Sequence, residues 1–131
     1  MKSRSEKLKR LVAVQRHLEQ MAEFDLAGTT RQRQEVAETV DVVSDAINSL
    51  DPVHRGFSGV YANQLGRLQQ KDQMLANLQQ MHEMRVMKER AKADRLEENM
   101  RDARAQEDRQ AEDDSIYDLI DQHLAHDPGD A

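Results

Sequence analysis

His123 and His126 stand three residues apart near the end of the chain, beside Asp121 and Asp127, the spacing best suited to metal chemistry in this sequence. Imidazole and carboxylate groups one helical turn apart can share a divalent ion. The competing reading, two solvated histidines on an acidic tail, requires nothing more and is preferred. His17, His54 and His82 are scattered. With no cysteine, the chain has no disulfide, thiolate zinc site or cysteine nucleophile. It also lacks a glycine-rich phosphate loop, an HExxH, a G-x-S-x-G and a helical Glu-x-x-His pair. The expectation is a protein that is not an enzyme, with no catalytic residues, no metal and no cofactor.

Two further groups raise binding rather than catalysis. Lys2, Arg4, Lys7, Lys9 and Arg10 cluster within ten residues, as phosphate-binding segments do. They are interleaved with leucines and no aromatic stacking surface accompanies them, so no nucleic-acid partner is expected. Binding of the same amphipathic segment to a membrane surface is equally weakly supported. Met74, Met81, Met84 and Met87 suit either an adaptable docking surface or the filling between two helices, and the second is preferred.

The elements that would position these groups follow from composition. The 131 residues allow one domain at most. A hydrophobic content of 37% with 34% charged residues favours long helices over a globular core. Only Phe24, Phe57, Tyr61 and Tyr117 are aromatic. No apolar run is long enough for a membrane span, and the basic start is not followed by an apolar segment of the secretory kind. The net charge of −6 is unevenly spread, with a basic beginning and an acidic end. Residues 1–33 carry eight Lys/Arg against four Asp/Glu, whereas residues 111–131 carry seven acids and no Lys or Arg.

Val36, Val40, Val43, Ile47 and Leu50 recur at alternating fours and threes, the repeat that keeps one stripe facing a partner helix. Upstream, Leu8, Leu11, Val12, Val14, Leu18, Met21, Ala22 and Leu26 continue it in a drifting register, with Gly28 a local weak point. Tyr61, Leu65, Leu68, Leu75 and Leu78 take it up again, followed by the methionines, Leu96 and Met100. Between the two runs lies "LDPVHRGFSGVY", where Pro52 stops the first helix near Leu50 and Asp51 or Ser58 caps the second.

Folding back there pairs residues whose numbers add to roughly 108, such as Val43 with Leu65, Val40 with Leu68, Phe24 with Met84, Met21 with Met87 and Leu8 with Met100. Val36 opposite Asp72 and Leu75 opposite Arg33 are poor matches, marking a loose stretch. The predicted fold is therefore all-α: a long antiparallel two-helix coiled-coil hairpin over residues 1–110, bent at about 51–58. Its rod would be roughly 70 Å long. Residues 111–131 form an acidic tail, either mobile or carrying a short amphipathic helix that Pro128-Gly129 ends. Ile116, Leu119, Ile120 and Leu124 share one face of that helix and have no counterpart in the hairpin, which makes them candidates for docking. A seam this thin is marginally stable, and a partner or self-association is expected to supply the remainder.

The stretch "LKRLVAVQRHLEQMAEFDLA" resembles the opening of the FliJ family of flagellar export proteins and its injectisome counterpart YscO. Leu8, Leu11, Val12, Val14, Glu19, Ala22, Leu26 and Ala27 fall on the family's positions. Gln15 stands where arginine is usual, with Arg16 one place late. The resemblance covers residues 5 to 114, including the acidic "EDD" at 112–114; the short helix after it lies outside the pattern. It implies a cytoplasmic stalk, peripheral to the inner-membrane export apparatus through its partners. Those partners are the hexameric export ATPase, the cytoplasmic domain of the export gate and substrate chaperones. It directs attention to Leu8, Lys9, Arg10, Val12 and Arg16 as partner-binding or seam-supporting residues. The rival expectation is a helical adaptor or chaperone in an unrelated complex.

Overall fold

A computed structural model describes residues 2–126. Three helices follow one another: α1 (Arg4–Ile47), α2 (Pro52–Gly56) and α3 (Ser58–His126), and no strand occurs among the described residues. The all-α expectation holds, and α1 packs against α3. None of these helices is long and apolar enough to cross a membrane.

Each helix boundary has a local cause. Ser3 caps the start of α1, its Oγ accepting from the Glu6 N–H at 3.3 Å. α1 contains no proline and runs unbroken through Gly28. It ends three residues before Leu50, which is exposed and takes no part in the packing. At the bend, the Asp51 carboxylate accepts from the Val53 N–H at 3.0 Å and Pro52 occupies the first turn, but the helix they open is the five-residue α2, and the long second helix begins afresh at Ser58. His54, Phe57 and Tyr61 gather there, with His54 Nδ1 and the Tyr61 hydroxyl 3.1 Å apart.

The chain forms two compact units, one from residues 17–90 and one from residues 1–16 with 91–131. In the first, Glu19 pairs with Arg90, Asp25 with Arg85 and Arg33 with Asp72, so α1 and α3 run antiparallel. The inward residues of α1 are Glu19, Ala22, Leu26, Thr29, Arg33, Val36, Val40, Val43 and Ile47, at strictly alternating threes and fours. Those of α3 include Tyr61, Leu65, Leu68, Asp72, Leu75, Gln79, His82, Val86 and Glu89, with the same alternation. The second unit follows the same rule, with Ser5, Leu8, Val12 and Gln15 facing in from α1, and Ala93, Leu96, Met100, Ala103 and Glu107 from α3.

This register corrects the expected pairings of Phe24 with Met84 and Met21 with Met87. Phe24 is 79% exposed, and Met21, Met84 and Met87 also face solvent. Leu11, Val14 and Leu78 likewise lie outside the buried stripe. The physical reason is geometric: a helix facing one partner must present every third and fourth residue, whatever its polarity. Glu19 and Thr29 are therefore buried while a phenylalanine is not. Thr29 satisfies its hydroxyl by donating to the Asp25 carbonyl at 3.2 Å.

α3 also differs from expectation at its end. The piece expected as a separate short helix is its direct continuation to His126, because residues 101–115 contain no glycine or proline to break it. Pro128 and Gly129, expected to end that helix, lie outside the described residues.

Replacing a seam leucine should therefore cost far more than replacing an outward methionine. Leu75→Ala is expected to destabilise by about 2 kcal/mol or more, and Met81→Ala by no more than about 0.5 kcal/mol, measured by urea unfolding. Equal losses would contradict the register.

Candidate partner-binding site

The beginning of α1 is completed by the other helix. The first backbone N–H groups of any helix lack intrahelical acceptors. Here the Ser5 N–H donates to Glu107 Oε1 at 3.0 Å, and the Ser5 hydroxyl donates to the other carboxylate oxygen. These two bonds, the hydroxyl's first, hold the Glu107 carboxyl below the usual carboxylate range. A negative charge at a helix N-terminus is also favoured by the helix dipole.

Of the residues the sequence singles out on α1, Leu8 and Val12 are half-buried in the seam. Arg16 reaches across to α3, donating to Asp94 at 2.8 Å and Glu97 at 2.7 Å, and so fastens the two helices. Lys9 and Arg10 are exposed and make no ion pair among the described residues. Leu11 and Val14, which the register excludes from the seam, are 51% and 60% exposed on the same stretch. The result is an accessible surface in which apolar side chains stand among Lys7, Lys9 and Arg10.

Ile116, Leu119 and Ile120 lie on α3 beyond Glu107. α1 begins at Arg4, so it has no residues left to pack there, and every residue from 108 to 126 is exposed. His123 and His126 are on these last turns. Among the described residues no group of three His, Asp or Glu side chains converges, and Asp127 is outside them.

The His17–Arg90 unit holds a polar site that the sequence reading missed. Arg33 Nε donates to Asp72 Oδ1 at 3.0 Å, one terminal nitrogen donates to Asp72 Oδ2 at 3.2 Å, and the other to Gln79 Oε1 at 3.0 Å. The two poor matches of the expected pairing thus resolve each other. Asp72 is held below the usual carboxylate range by its hydrogen bond from Arg33, whose own pKa is raised in return. A groove of about 630 Å³ opens beside this pair, lined in part by Val36, Val40, Leu68 and Gln69. Farther along, Arg90 bridges Glu19 at 3.0 Å and Glu23 at 3.1 Å, which raises its pKa. Arg33 already donates to Asp72 and Gln79, and no buried side-chain nitrogen or oxygen among the described residues lacks a partner. Chemically, the arrangement is one of surfaces and fasteners.

The signal for these polar positions was present. Carrying the 36–40–43–47 spacing backwards by threes and fours reaches Arg33, Thr29, Glu19 and Gln15 in turn. Nothing local announces Glu107 as a cap, since its partner is 102 residues away.

Comparison of the chain with known protein families, with curated proteins and with solved structures found no match.

Asp72 and Glu107 make stability depend on pH in a defined direction. Both carboxyls titrate lower folded than unfolded, where Asp lies near about 3.9 and Glu near about 4.3. Their contribution is complete above those values and is lost as pH falls through the folded ones. The melting midpoint, followed by circular dichroism, is expected to fall as pH drops below about 4. Asp72→Asn with Glu107→Gln should lower the midpoint at neutral pH and flatten that acid dependence. An unaltered slope would show that other groups carry it.

Proposed function

We propose that this chain is a non-enzymatic antiparallel coiled-coil stalk of a flagellar or related type III export apparatus, docking onto the hexameric export ATPase through the start of α1. The alternation of inward residues in both units supports the coiled-coil reading. One observation carries the docking. Leu11 and Val14 belong to the stretch that resembles FliJ, yet the packing of α1 on α3 does not use them. Exposed apolar residues flanked by Lys7 and Arg10 form a surface suited to an acidic partner with a small apolar core. A slender helix pair can enter a ring without a pocket of its own. On this reading the chain works at the cytoplasmic face of the inner membrane, reaches it through the ATPase and the export gate's cytoplasmic domain, and escorts substrate chaperones.

A second reading, a helical adaptor or chaperone in an unrelated complex, is favoured by a different feature. Met74, Met81, Met84 and Met87 are all exposed on α3, and flexible thioether side chains adapt to varied partners.

The two readings separate in a pull-down with a purified export ATPase. Retention of the full chain is expected, and Leu11→Glu with Val14→Glu should reduce it by about tenfold or more while leaving helicity intact. No retention of the unaltered chain would remove the export reading and leave the adaptor.

A further inference from the structure

The two ends of the residue 1–16 and 91–131 unit are complementary in charge, length and spacing. Residues 2–16 carry six Lys/Arg and one acid, whereas residues 108–126 carry six acids and one Arg. Lys7, Lys9 and Arg10 on one side, and Glu112, Asp113 and Asp114 on the other, make no ion pair among the described residues. The apolar residues between them are uncovered: Leu11 and Val14 on α1, and Ile116, Leu119, Ile120 and Leu124 on α3. These two surfaces cannot meet within one molecule. α3 is a single continuous helix, and its last residues carry forward past Ser5, away from its own α1.

We infer that a second copy of this chain covers these surfaces, the α3 extension of each copy lying along the beginning of α1 in the other. A two-fold axis that turns the second copy end for end brings its extension beside the first copy's α1, with both helices running in the same direction. The contact is isologous, so it closes as a dimer. The 19 residues of the extension span about 28 Å, enough to lie along all of residues 4–16, about 20 Å.

The register is set by the side chains. A displacement of 105 places Lys7 opposite Glu112, Leu11 opposite Ile116 and Val14 opposite Leu119. Lys7, Leu11 and Val14 are spaced four and three, as are Glu112, Ile116 and Leu119, so each triplet forms one helix face. Charge meets opposite charge at one end of the contact and apolar meets apolar along the rest. The dimer stands on these features alone, whatever protein the same surface meets elsewhere.

Sedimentation of the full chain tests it. A dimer is expected at about 0.05 M salt, weakened at least about tenfold at about 0.5 M because the pairing charges are exposed. Lys7→Glu, Lys9→Glu and Arg10→Glu together should give a monomer, as should Glu112→Lys, Asp113→Lys and Asp114→Lys together. An equimolar mixture of the two variants should dimerise again, since each supplies the charge the other lacks. Cross-linking gives an answer that does not depend on charge reversal: Val14→Cys in one copy and Leu119→Cys in another, which the register sets face to face, should form a mixed disulfide in preference to either homodisulfide. An unaltered chain that stays monomeric at low salt, or a variant mixture that stays monomeric while both variants remain helical, would overturn the inference. So would the absence of a preferred mixed disulfide.

Discussion

Everything in this molecule depends on α1 and α3 each keeping one narrow face turned to the other. A helix turns 100° per residue, so only positions alternating by three and four remain on such a face. That constraint acts on position before it acts on residue type. It explains why Ala22 and Ala93 are wholly buried while several larger apolar residues are not. Small side chains in the seam let two backbones come close. Among the described residues no large side chain is fully buried, because a seam between two helices has no interior to enclose one.

Polar residues in the seam are tolerated because, among the described residues, none leaves a buried side-chain nitrogen or oxygen without a partner. Arg33 and Asp72 satisfy one another with help from Gln79, and Glu19 is held by Arg90. Such pairs add little net stability, since each lies partly in solvent that screens the attraction. Their value lies in alignment. A slide of α1 by one turn along α3 would leave apolar contacts of similar quality and would separate Arg33 from Asp72. A seam of valine and alanine alone would define its own register poorly.

The clean valine run at 36–47, the bend at Asp51-Pro52 and the all-helical class were legible in the sequence because each rests on local signals. A proline restricts its predecessor, an aspartate caps a helix, and an uninterrupted apolar period names a face. The N-terminal half of α1 was misread for an equally physical reason. Leu11, Val14, Met21 and Phe24 are apolar residues off the seam, and following them led the stripe away from Gln15, Glu19 and Thr29. The candidate site was partly legible. The basic start and the apolar face at 116–124 stand out by composition, while the exposure of Leu11 and Val14 required the register. Arg16 and Glu107 act across the fold, and no local pattern discloses a partner on the other helix.

The capping of Ser5 by Glu107 bears on how the chain comes into being. A ribosome releases Ser5 about a hundred residues before Glu107 exists, a delay of some 5–20 s at ~5–20 residues per second. For that time Leu8 and Val12 stand on a helix capped by Ser3 but lacking both Glu107 and the seam residues that precede it on α3. The earlier-made side of this seam is therefore secured only when the later-made side has been synthesised. During that interval the apolar residues of this stretch stand uncovered, waiting for the helix that will shield them.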